Sequence, residues 1–173
     1  MIIGLSGYAQ SGKDTIANIL VEKHGWKRLA FADKIKEFLL ATDKGGLLKT
    51  EVETFGWDAV KQDPDIREAL QILGVAAREV FGEYFWVDQV MAQVLKDGTN
   101  YVITDVRFPN ELEAIRSAGG KVGRISRMGI NAVNEHESEH ALSGAKFDFY
   151  IENDNDLKEL EEAVEFGIRE WAK

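Results

Sequence analysis

Gly7 is followed after four residues by Gly12 and Lys13, and the set lies between an apolar run, Met1 to Leu5, and a stretch of helical spacing, Ile16, Ala17, Leu20 and Val21. Glycines so placed let backbone N–H groups curl around phosphate oxygens. The helix N-terminus adds positive potential, and a lysine supplies a mobile cation for terminal phosphates. The loop with Gly7, Gln10, Ser11, Gly12, Lys13, Asp14 and Thr15 is therefore a candidate cradle for ATP. Asp14 stands where Ser or Thr normally offers its hydroxyl to Mg²⁺. A carboxylate is a hard oxygen ligand, so Asp14 is assigned to the metal side and Thr15 to a phosphate hydrogen bond. The plainer role for Asp14 is a first-turn acid that favours the helix dipole.

Three further groups carry chemistry. Asp105 ends the apolar run Tyr101 to Thr104, from where a carboxylate reaches the Mg²⁺ of a nucleotide on the loop; Arg107, two residues on, suits the phosphate of a second substrate. A turn acid and a surface ion pair are the plainer roles for these two. Residues 126–146 form a candidate lid with Arg124 and Arg127 at its entrance and His136, Ser138, Glu139 and His140 within. A lid brings arginine over a transferring phosphoryl group and excludes water. Residues 136–140 read His-Glu-Ser-Glu-His, a match in letters to H-E-x-x-H. A non-metal role is favoured, because the segment is short, polar and outside any apolar-faced helix. Gln71 and Arg78 lie off the apolar stripe Leu70, Leu73, Ala77; with Trp86 they suit a nucleobase and its phosphate, or else a solvated face over a packed Trp86.

The elements that must position these residues follow from periodicity. A helix is expected over 13–24, a strand from Trp26 to Phe31, and a helix from Asp33, itself the cap, to Leu40. Residues 42–64 suggest a loop or short helices. Helices follow over 66–81 and 84–95, broken at Gly82. Strands at 101–104, 121–125 and 147–151 alternate with helices at 111–118 and 156–171. The order predicts a doubly wound, five-stranded parallel α/β sheet flanked by helices.

A chain of 173 residues with 45% hydrophobic and 29% charged residues fits one domain. No stretch approaches the roughly 18 apolar residues of a membrane span, and no export signal is read at Met1 to Leu5. With no cysteine, disulfides and thiolate chemistry are excluded. A net charge of −9 with no Lys/Arg track argues against duplex nucleic acid as a partner. A cytoplasmic location, in a bacterial or phage-infected cell, is expected. A homodimer is left open, since the helix stripes can all serve the core.

Taken together, Ser11-Gly12-Lys13-Asp14-Thr15, Phe31-Ala32-Asp33-Lys34-Ile35-Lys36, Leu70-Gln71-x-Leu73-Gly74-x3-Arg78 with Trp86, and Asp105-Val106-Arg107-Phe108-Pro109-Asn110-Glu111 resemble the phage-type deoxynucleoside monophosphate kinases of the P-loop nucleoside monophosphate kinase superfamily. The resemblance implies one kinase domain with a monophosphate-binding region at about 32–90 and a short lid at about 126–146. It implies Asp33 and Lys36 at the border of the monophosphate site, Arg78 and Arg107 on its phosphate, Trp86 near the base, and Asn153 at the adenine of ATP. It further implies Mg²⁺-assisted in-line transfer from ATP to a nucleoside monophosphate. Lys13, Arg107 and a lid arginine, Arg127 or its neighbour Arg124, would offset the developing charge. A dephospho-coenzyme A or other small-metabolite kinase is the nearest alternative, and a nucleotide-binding regulatory module is the alternative from another class. A GTPase is disfavoured: no Asn-Lys-x-Asp occurs, and Asp105 precedes Val-Arg-Phe.

Overall fold

The computed structural model describes residues 1–94, 98–131 and 140–171. They form two compact units, Met1–Ala30 with Val90–Lys173, and Phe31–Gln89.

In the first unit, Ile2-Ile3-Gly4-Leu5-Ser6 is buried throughout and forms β1 (Ile2–Ser6) at the centre of a five-stranded sheet. The remaining strands are β2 (Lys27–Leu29), β3 (Tyr101–Ile103), β4 (Lys121–Ser126) and β5 (Phe149–Glu152), in the spatial order β2-β3-β1-β4-β5. All neighbours are parallel, with Ile3 opposite Val102, Ser6 opposite Arg124 and Ile125 opposite Ile151. On one face, Ile3, Leu5, Val102, Ile125 and Ile151 pack against Ile16 and Leu20 of α1 (Lys13–His24) and Leu160, Val164 and Trp171 of the terminal helix. On the other face the sheet is so close to α6 (Pro109–Ser117) that a Cβ on Gly4 would stand 2.8 Å from the Ile115 methyl. Fully burying each such aliphatic side chain is worth about 1.5–3 kcal/mol, and this sandwich fixes the strand ends from which the site grows.

The second unit is helical: α2 (Phe31–Thr42), α3 (Leu47–Val60), α4 (Pro64–Phe81) and the start of α5 (Phe85–Val94). Asp63 caps α4 by accepting from the Asp65 N–H at 2.9 Å, and Pro64, lacking an N–H, fills the first helical position. Gly74 lacks a Cβ where Ile35 of α2 would stand 3.2 Å away. Trp86 is 6% exposed, with Phe38 and Phe85 edge-on to its ring at 6.2 and 4.8 Å between centroids.

The five parallel strands and flanking helices agree with the sequence expectation, and the differences are local. α2 begins at the buried Phe31, so Asp33 lies inside its first turn and is no cap. The second strand is three residues, because its partner β3 offers only Tyr101–Ile103. Residues 42–64 contain α3, which breaks at Gly56 (φ 78°, ψ 160°) into the short helical pieces that composition allowed. The last strand starts at Phe149 and the terminal helix, α7, spans Leu157–Trp171.

Candidate active site

The loop between β1 and α1 is shaped to surround a phosphate. Gly12 precedes α1 at φ 108°, a left-handed conformation that L side chains rarely adopt, and a Cβ there would collide with the Asn153 carboxamide. Gly7 leaves no more room, since its Cβ would run into the Ile125 carbonyl and stand 2.7 Å from Ser11 Oγ. Gln10 holds a φ of 64°, the one positive φ outside glycine among the described residues. A non-glycine residue in that region stores strain of about 1–3 kcal/mol, which marks functional loops.

Polar atoms complete the cradle. Lys13 Nζ donates to the Gly7 and Tyr8 carbonyls at 2.8 and 2.7 Å. The ammonium thus rests at the start of the loop. Ser11 is 1% exposed, and its Oγ has no hydrogen-bond partner among the described residues. Asn153, just past β5, donates from Nδ2 to the Ser11 carbonyl at 3.0 Å, while its own N–H donates to the Ser126 carbonyl at 2.8 Å. It ties the loop to the ends of β4 and β5. Asp14 is exposed in the first turn of α1, with Arg28 Nη2 3.9 Å from its Oδ1, and Thr15 beside it is half-buried.

Beyond β3 the chain runs on beside β1, since the Val106 N–H donates to the Leu5 carbonyl at 3.1 Å. This brings half-buried Asp105 and exposed Arg107 next to the strand that ends in Gly7. Glu111 holds the segment in place: its Oε2 accepts from the backbone N–H groups of Arg107 at 2.7 Å and Phe108 at 3.0 Å. Burial, and next the charge of Asp105, push the Glu111 carboxyl up to about 8, against the pull of those N–H groups and of the Arg107 charge. Sequence reasoning gave Glu111 no task. Its one local signal was a glutamate three residues after Phe108, at the capping-box position.

Arg124 projects from β4 opposite Ser6. Its Nη1 donates to Ser6 Oγ at 3.2 Å, and its guanidinium lies 4.9 Å from the Tyr8 ring centre and 5.8 Å from that of Phe147. Ser6, Gly7, Tyr8, Val106, Arg107, Arg124 and Leu142 line one small depression. Arg127 is exposed on the turn after β4, where its carbonyl accepts from the Ile130 N–H at 3.1 Å. Of the candidate lid, His136, Glu137, Ser138 and Glu139 lie outside the described residues, and His140 is exposed. Among the described residues, no three His, Cys, Asp or Glu side chains are grouped as a metal site.

In the second unit, Asp33 Oδ1 and Lys36 Nζ pair at 2.7 Å on α2, and the Lys36 ammonium lies 5.8 Å from the Trp57 ring centre. On α4, Gln71 is exposed and Arg78 half-buried. Arg78 Nε and Trp86 Nε1 both donate to the Gly74 carbonyl at 3.1 Å, so Trp86 sits within this unit's interior with its polar handle satisfied.

Residues 50–164 match the deoxynucleotide monophosphate kinase family. The chain belongs to that family. The kinase is similar to a protein of Acanthamoeba polyphaga mimivirus provisionally named a deoxynucleotide monophosphate kinase, at 29% identity over 92% of each chain. It is also similar to the deoxynucleotide monophosphate kinase of Escherichia phage RB69, at 31% identity over 60% of this chain and 45% of that relative. Among solved structures, shikimate kinase from Aquifex aeolicus shares the fold at TM-score 0.53 and 13% identity, covering 98% of this chain and 96% of that one. Dephospho-CoA kinase from Campylobacter jejuni does so at TM-score 0.53 and 19% identity, with the same coverage. The kinase is therefore a phosphotransferase on a P-loop scaffold. No helix among the described residues is long and apolar enough to cross a membrane.

Proposed function

We propose that the kinase transfers the γ-phosphoryl group of ATP to a phosphate oxygen of a deoxynucleoside monophosphate, giving two nucleoside diphosphates. The observation that carries this reading is the cradle at the head of α1: two glycines at which a Cβ would meet the Ile125 carbonyl or the Asn153 carboxamide, the Lys13 ammonium seated at the loop's start, and the buried Ser11 hydroxyl, without a partner among the described residues. Membership of the family, and the names of the relatives from mimivirus and phage RB69, support the acceptor class.

In this reading the backbone from Gly7 to Gly12 binds the phosphates of ATP, with Gln10, Ser11, Thr15 and Asn153 completing the donor site. Lys13, Arg107 and Arg127 neutralise the charge of a loose transition state, and no strong general base is required, because an acceptor phosphate is already ionised near neutral pH. Asp33, Lys36, Gln71, Arg78 and Trp86 form the acceptor group: Arg78, with Arg107, takes the monophosphate, and Trp86 braces the base side. Residues 32–90 are the monophosphate-binding region and 126–146 the lid. Mg²⁺ commonly binds through one or two carboxylates plus substrate phosphates, and the exposed Asp14 and the strand-end Asp105 suit that donor set. When bound, Mg²⁺ supplies further charge neutralisation. We place the enzyme in deoxynucleotide metabolism in the cytoplasm of an infected or bacterial cell.

The test is a panel of ribo- and deoxyribonucleoside monophosphates, with dephospho-coenzyme A and shikimate included, each incubated with ATP and Mg²⁺. Acceptor-dependent diphosphate with little free phosphate is expected for deoxynucleoside monophosphates. Transfer to dephospho-coenzyme A or shikimate alone, or ATP turnover that ignores every acceptor, overturns the proposal.

A further inference from the structure

The carboxamide of Asn153 is packed against the phosphate-binding loop. Its Nδ2 donates to the Ser11 carbonyl at 3.0 Å, and a Cβ on Gly12 would collide with that nitrogen and stand 3.1 Å from Cγ. The carboxamide therefore fills the space that a side chain at Gly12 would need. The backbone that carries it is fixed at a strand end. The Asn153 N–H donates to the Ser126 carbonyl at 2.8 Å, directly after the pairing of Ser126 with Glu152, and the next side chain, Asp154, accepts from the Met128 N–H at 2.5 Å through Oδ1.

What this anchor holds is one peptide plane. In a trans peptide the C=O and the following N–H point in opposite directions, so with the Ser11 carbonyl held on Asn153 the Gly12 N–H faces away from the carboxamide. That N–H makes no hydrogen bond among the described residues, whereas the Ser11 N–H is taken up by the Tyr8 carbonyl at 3.2 Å and the Gly12 carbonyl by the Ile16 N–H at 3.0 Å. Gly12 sits at φ 108°, and a glycine turns between such conformations at little cost, so the peptide beside it needs a tie to keep one orientation. Free backbone N–H groups ahead of a helix are the natural ligands of a phosphate. We infer that Asn153 is a positioning residue of the loop: it sets the Ser11–Gly12 peptide so that the Gly12 N–H is presented to the phosphate chain, and it acts on the triphosphate instead of on the base. This rests on the loop being the ATP site, and it goes beyond the contact with adenine that the family resemblance implies for Asn153.

Inorganic tripolyphosphate has the phosphates of ATP and no base, so it separates the two roles without an acceptor. Calorimetry would measure the dissociation constants of ATP and of tripolyphosphate, each with Mg²⁺, for the wild type, Asn153→Ala and Asn153→Leu. Asn153→Ala should weaken both ligands about 3–10-fold, the scale of one hydrogen bond, and leave the ratio of the two within about 2-fold of wild type. Asn153→Leu keeps the volume without the donor, so it covers a folding failure of the Ala variant, and the same pattern is expected. In ¹⁵N-labelled protein, tripolyphosphate should move the Gly12 amide proton downfield in the wild type and less so in Asn153→Leu, a difference that a role in stability alone would not produce. A loss confined to ATP would make Asn153 a reader of the base and overturn the inference. An unchanged affinity for tripolyphosphate, or a Gly12 shift equal in the wild type and Asn153→Leu, would overturn it too. A protein that follows the expected pattern yet phosphorylates no monophosphate supports the inference and sinks the proposed activity alone; a wild type that binds neither ATP nor tripolyphosphate sinks both.

Discussion

The two units of the kinase are built to different tolerances. In the first, Ile3, Leu5, Ile16, Leu20, Val102, Ile125 and Val164 are sealed to 1% exposure or less. In the second, Phe55, Ile72, Val80 and Phe81 are 60% or more exposed, and its interior rests on Phe31, Val60, Ala77, Trp86 and Val87. Dense packing suits a cradle whose backbone must hold Gln10 at a positive φ and Gly12 close against Asn153. Sparse packing suits a region of low local stability, where ligand-binding segments are commonly found. A tightly packed sheet suits the phosphate cradle at the head of α1, and the looser helical group is where the proposed function places recognition of the second substrate.

Substitutions in the two units test that contrast. The largest effect is expected at Lys13→Ala, which removes the cation from the loop while leaving the core untouched. Turnover should fall about 10²–10³-fold, the scale for one preorganised charge stabiliser, with the melting temperature nearly unchanged. Turnover within 3-fold of wild type would take Lys13 out of the chemistry.

Next comes the buried carboxyl of Glu111. Burial pushes it up to about 8, above the ordinary glutamate value of 4.5. The folded protein therefore keeps a proton that the unfolded chain releases. That advantage is complete below about pH 4.5 and is lost as pH rises towards 8, at up to about 1.4 kcal/mol per pH unit. Glu111→Gln keeps an oxygen for the Arg107 and Phe108 N–H groups but does not titrate. Without Mg²⁺, its melting temperature should gain on wild type steadily from pH 5 to pH 8; parallel profiles would contradict this origin.

Gly123→Ala follows, because its Cβ would enter the Phe149 ring, which itself lies 4.4 Å from the Trp171 ring between centroids. Overpacking of this kind costs about 1–3 kcal/mol, read as a lowered denaturant midpoint. The smallest effect belongs to the other unit: Phe55→Ser, at a side chain 68% exposed, should change stability by less than about 0.5 kcal/mol. Equal costs at Gly123 and Phe55 would erase the contrast between the units.

What could be read from the sequence was what depends on near neighbours. The glycine and lysine spacing of the loop, the apolar run of β1 and the stripe Leu160, Val164, Trp171 are local patterns with one dominant structural solution. Asp33 was misread because the apolar Trp26 to Phe31 suggested a longer strand, whereas the three residues of β3 limit the pairing and release Phe31 to start α2. Phe147 was likewise counted as strand, yet its ring packs edge-on to Tyr150 at 6.0 Å, and Asp148 turns to accept from the Val122 N–H at 2.8 Å. The role of Glu111 depends on burial, which no spacing reports. Trp86 shows the same limit: an aromatic suited to a base is also suited to an interior, and its indole N–H is already used by Gly74.

The division of labour between the units is tested most directly by steady-state kinetics of Arg78→Ala, with ATP and a deoxynucleoside monophosphate each varied in turn. The account predicts a KM for the monophosphate raised about 10–100-fold, the scale of a lost guanidinium–phosphate contact, with the KM for ATP within 2-fold of wild type. A rise of equal size in both, or in ATP alone, would contradict the assignment of acceptor recognition to the helical unit.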